Sequence, residues 1–310
     1  MSRKENPRRS ASPWAWVLAG VVAPVLVSVL LAGCAAPERL APPTPVVAPK
    51  RAPVIGLALG GGAARGFAHV GVIQVLEEAG IRPNLVVGTS AGSVVATLYA
   101  SGRSGAQLQQ VADSMEEAAI TDWTLPIFSR GMLRGEALAR YINTLVKGRL
   151  IEDMTLPLGI VATDLNSGQG VLFRRGDTGT AVRASSSVPG VFQPVKIGLR
   201  EYVDGGLVSP VPVRYARQMG AELVIAVDIS SVAEGNLMGD TLDILMQTFT
   251  IMAKSINNFE LREADVVVRP TQTGLNSTDF TARKRAIEAG RAAMQKMLPQ
   301  LKAAIEAKMK

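Results

Sequence analysis

The chain has 310 residues, 47% of them apolar and 19% charged, an ordinary globular balance with length for one large domain or two small ones. Its formal charge is +7, and residues 1–33, with four basic side chains and one acidic, hold +3 of it. The mild remainder, with no basic run interleaved with aromatics, gives no footing for nucleic-acid recognition. A single cysteine excludes an intrachain disulfide, and a single histidine far from it leaves no ligand set for zinc, so neither metal nor cofactor is implied.

Arg3, Lys4, Arg8 and Arg9 head the chain, Trp14 to Leu31 follow without a charge, and Leu31-Ala32-Gly33-Cys34 close the stretch. A positive head, an apolar body and a small-residue exit describe a secretory signal. Eighteen apolar residues also suffice for an uncleaved membrane anchor, though Gly20, Pro24 and Ser28 interrupt them. The ending resembles the lipobox of bacterial lipoproteins, and that resemblance implies that Cys34 is lipidated and becomes the first mature residue. The expected organisation is a signal peptide at 1–33, a lipidated cysteine and tether at 34–53, and a folded domain at 54–310. The tether holds six prolines between 35 and 53, an extended, semi-rigid composition. Residue 35 is Ala rather than Asp, which by analogy with lipoprotein sorting favours the outer membrane, facing the periplasm, over the inner.

From residue 54 short apolar runs alternate with helical patterns. Val54–Leu59 reads as a buried strand ending in Gly60-Gly61-Gly62, and Arg65–Ala79 as a helix closed by Gly80. Leu85–Val87 is a second strand, followed at once by Gly88-Thr89-Ser90-Ala91-Gly92 and a helix to about Ser101. Further helices are expected at Gln107–Ala119, Gly135–Val146, Leu242–Ala264 and Thr281–Ala307. Further strands are expected at Leu158–Ala162, Val171–Phe173, Leu223–Val227 and Val266–Val268. The alternation predicts an α/β fold: a mostly parallel central sheet with helices on both faces.

Gly88 to Gly92 fit G-x-S-x-G. Between a strand and a helix this makes a sharp turn with Ser90 at its tip, and Gly88 and Gly92 let neighbouring backbone approach. The serine then lies at a helix N-terminus, where free N–H groups favour developing negative charge. The glycine loop Gly60, Gly61 and Gly62, with Arg65 three residues on, suits either a phosphate or the oxyanion of a tetrahedral intermediate. Neither the Lys-Ser/Thr ending of a phosphate loop nor the Rossmann glycine spacing is present, so the oxyanion reading is preferred. Asp204 precedes Gly205 and Gly206; such a residue is ordinarily turn chemistry, and becomes a candidate because a serine nucleophile needs a base. No histidine follows Ser90. His69 lies upstream beside the apolar stripe Val72, Ile73 and Leu76, which favours a structural role over a catalytic one.

The glycine loop with its arginine (GGGAARG), then GTSAG, then DGG, in this order and without a catalytic histidine, resemble the patatin-like phospholipase family. ARGFAHVGVI at 64–73, VATDLNSG at 161–168, RASSSVPGVF at 183–192 and YVDGGLV at 202–208 add to the likeness, which covers about residues 54–270. The resemblance implies a patatin-like serine hydrolase with a strand–turn–helix nucleophile elbow. Ser90 would be the nucleophile and Asp204 its partner in a dyad, with Gly60, Gly61, Gly62 and Arg65 building the oxyanion region. It implies a lipid or ester substrate, of phospholipase A or lysophospholipase type, and the expected anchor at Cys34 is consistent with a lipid ester; the sequence itself does not choose among phospholipid, lysophospholipid, thioester and simple ester. Residues beyond 270 fall outside the likeness. Two other readings stay open: a non-catalytic envelope scaffold with a hydrolase fold, and a glycine-loop nucleotide-binding protein.

Overall fold

The run Ile55–Leu59 is buried at every position, as a strand covered on both faces must be. In the computed structural model, which describes residues 50–116, 121–122, 130–230, 241–272, 274 and 279–310, it is the first strand of the central sheet. In chain order the elements are β1 (Ile55–Leu59), α1 (Ala68–Glu78), β2 (Leu85–Thr89), α2 (Ala91–Ala100), α3 (Gly105–Ser114), β3 (Gly131–Leu133), α4 (Glu136–Leu145), β4 (Leu158–Asp164), β5 (Gly170–Phe173), α5 (Thr178–Ser185), β6 (Gly190–Phe192), β7 (Val195–Ile197), β8 (Arg200–Asp204), α6 (Val213–Gln218), β9 (Leu223–Val227), α7 (Thr241–Glu260), β10 (Val266–Val268) and α8 (Arg283–Ala307). The expected signal, Cys34 and most of the tether lie outside the described residues, as does the end of the helix expected to reach Ala119.

The main sheet runs β10-β9-β1-β2-β4-β8-β7, with β5 on the other edge of β4; β3 and β6 make a separate pair. From β10 to β4 all neighbours are parallel. β5, β8 and β7 are antiparallel, so the expected parallel sheet acquires an antiparallel margin of short strands. Alternate β1 side chains serve opposite faces, as the pleat requires. Leu57 and Leu59 pack with α1, α2, α4 and α8, while Ala58 packs with Val213, Tyr215 and Ala216 at α6. Helices thus cover both faces, and each fully buried Leu or Ile stabilises the fold by roughly 1.5–3 kcal/mol.

One register positions the site. β4 pairs with β2 as far as Thr89 opposite Val161, and the next β4 residue, Ala162, pairs with Asp204 at the end of β8. Since β5 occupies the far edge of β4, β8 takes over the edge that β2 leaves. The end of β2 and the end of β8 therefore meet.

One expected element needs correction. The stretch expected as one helix from Arg65 begins instead as a tight 3-10 turn, Ala63–Phe67, before α1. The compact unit comprises Lys50–Lys310. Lys310 donates its backbone N–H to the Arg51 carbonyl at 3.1 Å, and Glu222 takes the Arg51 and Lys310 side chains at 2.8 Å each. A proline-rich composition hid this, because the partners lie at the other end of the chain. Helix α8 belongs to the same unit, within the folded domain expected to reach residue 310. Gly71 of α1 and Gly290 of α8 face backbone so closely that a β-carbon on either would collide with the Ile287 or Ala68 carbonyl oxygen.

Candidate active site

Gly92 explains why the turn after β2 is so sharp. A β-carbon there would run into the Leu59 carbonyl oxygen, and one on Gly88 into the Gly92 carbonyl, so only glycines let the strand end, the turn and the new helix stack. The turn forces Ser90 to φ 52° and ψ −124°, a conformation that L residues rarely hold and that functional sites retain. The strain is countered locally. The Ser90 N–H donates to Ser185 Oγ at 2.9 Å, Ser185 Oγ donates to the Val161 carbonyl at 2.6 Å, and Ser93 Oγ donates to the Ser90 carbonyl at 2.6 Å. Ser185 supports the elbow across 95 positions of sequence, which no local pattern announces.

Asp204 arrives beside this turn through the β4 register. Its backbone is pinned at both groups: its N–H donates to the Ser187 carbonyl at 2.9 Å, and its carbonyl accepts from Thr163 Oγ1 at 2.8 Å. The side chain is buried, with Oδ1 accepting the Gly206 N–H at 2.6 Å and Oδ2 without a full hydrogen bond. Burial raises the carboxyl from 3.8 to about 6, against the Gly206 N–H and the nearby Ser90 hydroxyl, both of which lower it. Gly205 is required here because a β-carbon would strike the Val161 carbonyl oxygen.

The glycine loop approaches from β1. A β-carbon on Gly61 would stand 3.1 Å from Ser90 Cβ, so this glycine leaves room for the serine. Gly60 and Gly61 do not have free donors: their N–H groups bond to the Val227 carbonyl at 3.1 Å and the Pro210 carbonyl at 2.9 Å. The Arg65 N–H likewise goes to the Gly62 carbonyl at 3.2 Å. Among the described residues, the N–H groups of Gly62 and Ala63 have no partner. Of the residues that the resemblance places in the oxyanion region, Gly60, Gly61, Gly62 and Arg65, the first two thus shape the loop with their N–H groups engaged, and the open donors follow them at Gly62 and Ala63. Ala63 was not singled out in the sequence, though its φ of 50° belongs to the left-handed region.

His69 lies wholly buried beneath the loop. Its Nε2 is 2.8 Å from the Gly60 carbonyl, and as a carbonyl only accepts, Nε2 is the donor. Burial lowers its pKa to about 4, the Gly60 bond acting weakly the other way, so the ring is neutral. Asp164, the other carboxylate at a strand end, is buried and held by Arg200 and by the Asn166 and Ser167 N–H groups. Glu78 bonds Arg291 and Glu77 accepts the Gly105 N–H, so both serve structure. Among the described residues, no group of three or more His, Cys, Asp or Glu is placed to hold a metal.

Two cavities meet at Ser90. One, of about 200 Å³, is apolar, its wall including Phe67, Val94, Leu98, Val111, Leu138 and Phe280. Phe280 stacks edge-on against Phe67 at 5.9 Å, so the segment before α8 closes this cavity. The other, of about 220 Å³, joins Ser90 to Asp204, Gly61, Gly62, Ala63 and Arg65, and is roofed by Phe249, Met252 and Ala253 of α7. Burial lowers the Arg65 guanidinium's pKa, partly offset by Asp228. Neither the roof nor Phe280 carried any sequence signal.

A strained serine between strand and helix, a buried carboxyl beside it and a glycine loop over it define a carboxylic-ester hydrolase built on an α/β sheet. The family model of patatin-like phospholipases matches residues 57–217, more than half of the chain, and the protein belongs to that family. An uncharacterised NTE family protein of Mycobacterium tuberculosis is 38% identical over 184 residues, 59% of this chain and 51% of that one. Patatin-like phospholipase domain-containing protein 6 of Homo sapiens is 38% identical over 199 residues, 61% of this chain and 14% of that protein. The matched region thus spans about half the length of the mycobacterial relative and a small part of the human one. Among solved structures, VipD from Legionella pneumophila shares the fold at a TM-score of 0.55 and 14% identity, over 81% of this chain and 67% of VipD.

Proposed function

We propose that the domain hydrolyses acyl esters of lipids, phospholipids or lysophospholipids foremost, through a Ser90–Asp204 dyad and an acyl-enzyme. The observation that carries the proposal is the position of Ser90 where an apolar cavity meets the cavity that holds Asp204. An acyl chain fits the first, and the alcohol portion faces the second.

Asp204 Oδ2 takes the proton of the Ser90 hydroxyl as Oγ attacks the ester carbonyl. The N–H groups of Gly62 and Ala63, and that of Ala91 at the start of α2, stabilise the oxyanion. The intermediate collapses, the carbon–oxygen bond to the alcohol breaks, and the alcohol leaves with the proton from Asp204. Water then gives its proton to Asp204 and attacks the acyl carbon. The bond to Oγ breaks, Ser90 regains the proton, and the fatty acid departs.

Against a nucleotide-binding loop stands the engagement of the Gly60 and Gly61 N–H groups, since a phosphate cradle uses consecutive free donors. Against a purely structural scaffold stands the raised Asp204 carboxyl beside a strained serine, a combination with a cost and no packing benefit. Assaying the purified protein against esters of graded acyl length and head group tests the proposal. Hydrolysis that survives Ser90→Ala would refute it.

The cell-envelope location belongs to the same proposal, supported by the charge pattern of residues 1–33 and by Cys34. Incorporation of labelled fatty acid in the parent and its loss in Cys34→Ala is the expected outcome; labelling that persists in the variant would overturn the anchor.

A further inference from the structure

Helix α7 leaves several large apolar side chains in solvent. Ile244 is 65% exposed, Ile251 55%, Met252 45% and Phe259 67%. At helical spacing these four, with exposed Thr248 and Ser255 between them, fall within an arc of about 100°. The opposite face carries Phe249 and Ala253, which line the cavity of Ser90 and Asp204, and the buried Asn257 and Glu260. Glu260 fixes that face: it accepts from Ser209 Oγ at 2.9 Å and from the Arg214 N–H at 3.2 Å. Met252 belongs to both settings, exposed on the stripe and lining the cavity. The stripe is therefore continuous with the mouth of the candidate active site.

Singly exposed apolar residues are ordinary on a protein surface, but an aligned set at a cavity mouth needs an occupant. Exposed Lys254 flanks the stripe, and the Arg262 guanidinium lies 5.4 Å over the Phe259 ring at its C-terminal end. We propose that α7 docks on the surface of an assembled anionic lipid layer, its apolar stripe entering the head-group boundary and the cavity mouth facing the lipid. The inference rests on the hydrolase reading and adds the physical state in which the substrate is met. A protein seated on the stripe would cover the mouth that Met252 lines, whereas a lipid layer delivers the ester through the same contact. Cations beside a stripe of Ile, Met and Phe suit such a boundary.

The test uses the full chain and mixed phosphatidylglycerol–phosphatidylcholine vesicles. The double variant Ile251→Asp/Phe259→Asp should hydrolyse vesicle lipid at least about tenfold more slowly than the parent, while a soluble short-chain ester is cleaved within about twofold of the parental rate. Equal losses on both substrates, or no loss on either, would overturn the proposal. Because Cys34 is the only cysteine, Cys34→Ala/Phe259→Cys accepts a single environment-sensitive dye, whose emission should shift to the blue on adding vesicles; an unchanged spectrum would overturn the proposal. This readout needs no turnover, so failure of the hydrolase reading and failure of docking are told apart. A concentration-dependent dimer in solution that the Asp substitutions dissolve would assign the stripe to a second copy and also overturn it.

Discussion

The imidazole of His69 donates from Nε2 to the carbonyl of Gly60 at 2.8 Å, a buried bond that ties the ring to the glycine loop. The lone histidine is thus a positioning residue, and its loss should slow hydrolysis by no more than about tenfold, well short of the cost of losing a general base. Its titration has a sign. Above pH 6.5 the ring is neutral in folded and unfolded chains alike. As pH falls from 6.5 toward about 4, only the unfolded chain gains the proton, so stability is lost across that window. The unfolding midpoint of His69→Gln should therefore fall less than the parent's between those pH values. Equal slopes in thermal melts would contradict the neutral, buried ring.

Asp204 titrates in the opposite sense. Its folded value of about 6 lies above the ordinary 3.8, so its contribution to stability is present below 3.8 and lost as pH rises through 6. At neutral pH the buried charge costs on the order of 3 kcal/mol. Asp204→Asn should abolish hydrolysis without lowering the melting temperature at pH 7.5. In the parent, kcat/KM should rise with pH through an apparent pKa near 6, as the base must be ionised. A pH–rate profile flat between 5 and 7, both values bracketing about 6, would remove Asp204 from the role of base.

Gly92→Ala should lower stability by about 2–3 kcal/mol, because the added methyl meets the Leu59 carbonyl oxygen where neither backbone can retreat. Ala63→Gly, by contrast, should raise the melting temperature or leave it unchanged, since the left-handed φ of 50° that strains alanine by roughly 1 kcal/mol suits glycine. Calorimetry of the two variants checks both signs.

Much of this was legible in the chain because central parallel strands are apolar throughout: IGLAL and LVIAV are buried at every position and stood out as short runs. The placement of Ser90 between a strand and a helix, and of Asp204 before a glycine turn, was legible through the glycines that flank them. What escaped depends on distance in sequence. Ser185 supports the elbow from another element, β7 and β6 are three residues each, and the α7 roof over the serine has no local motif. Arg51 was assigned to the tether because its ion pair with Glu222 spans 171 positions. The partners of the Gly60 and Gly61 N–H groups, Val227 and Pro210, were equally remote.

Val111 lines the apolar cavity from α3 and is only partly buried, so it accepts a larger side chain. Val111→Trp should reduce cleavage of long-chain esters by about tenfold or more while short-chain esters are spared, as a filled pocket rejects length rather than chemistry. Uniform loss across a chain-length series would show that the acyl group binds elsewhere.

The central claim is that Ser90 is a nucleophile activated by Asp204, and covalent capture tests it most directly. Intact-protein mass spectrometry after exposure to a fluorophosphonate should show one adduct, mapped to Ser90, on the parent. Ser90→Ala should take none, and Asp204→Asn should react slower by roughly the 10²–10⁴-fold worth of a general base. An adduct on another residue, or labelling of Asp204→Asn at the parental rate, would contradict the account.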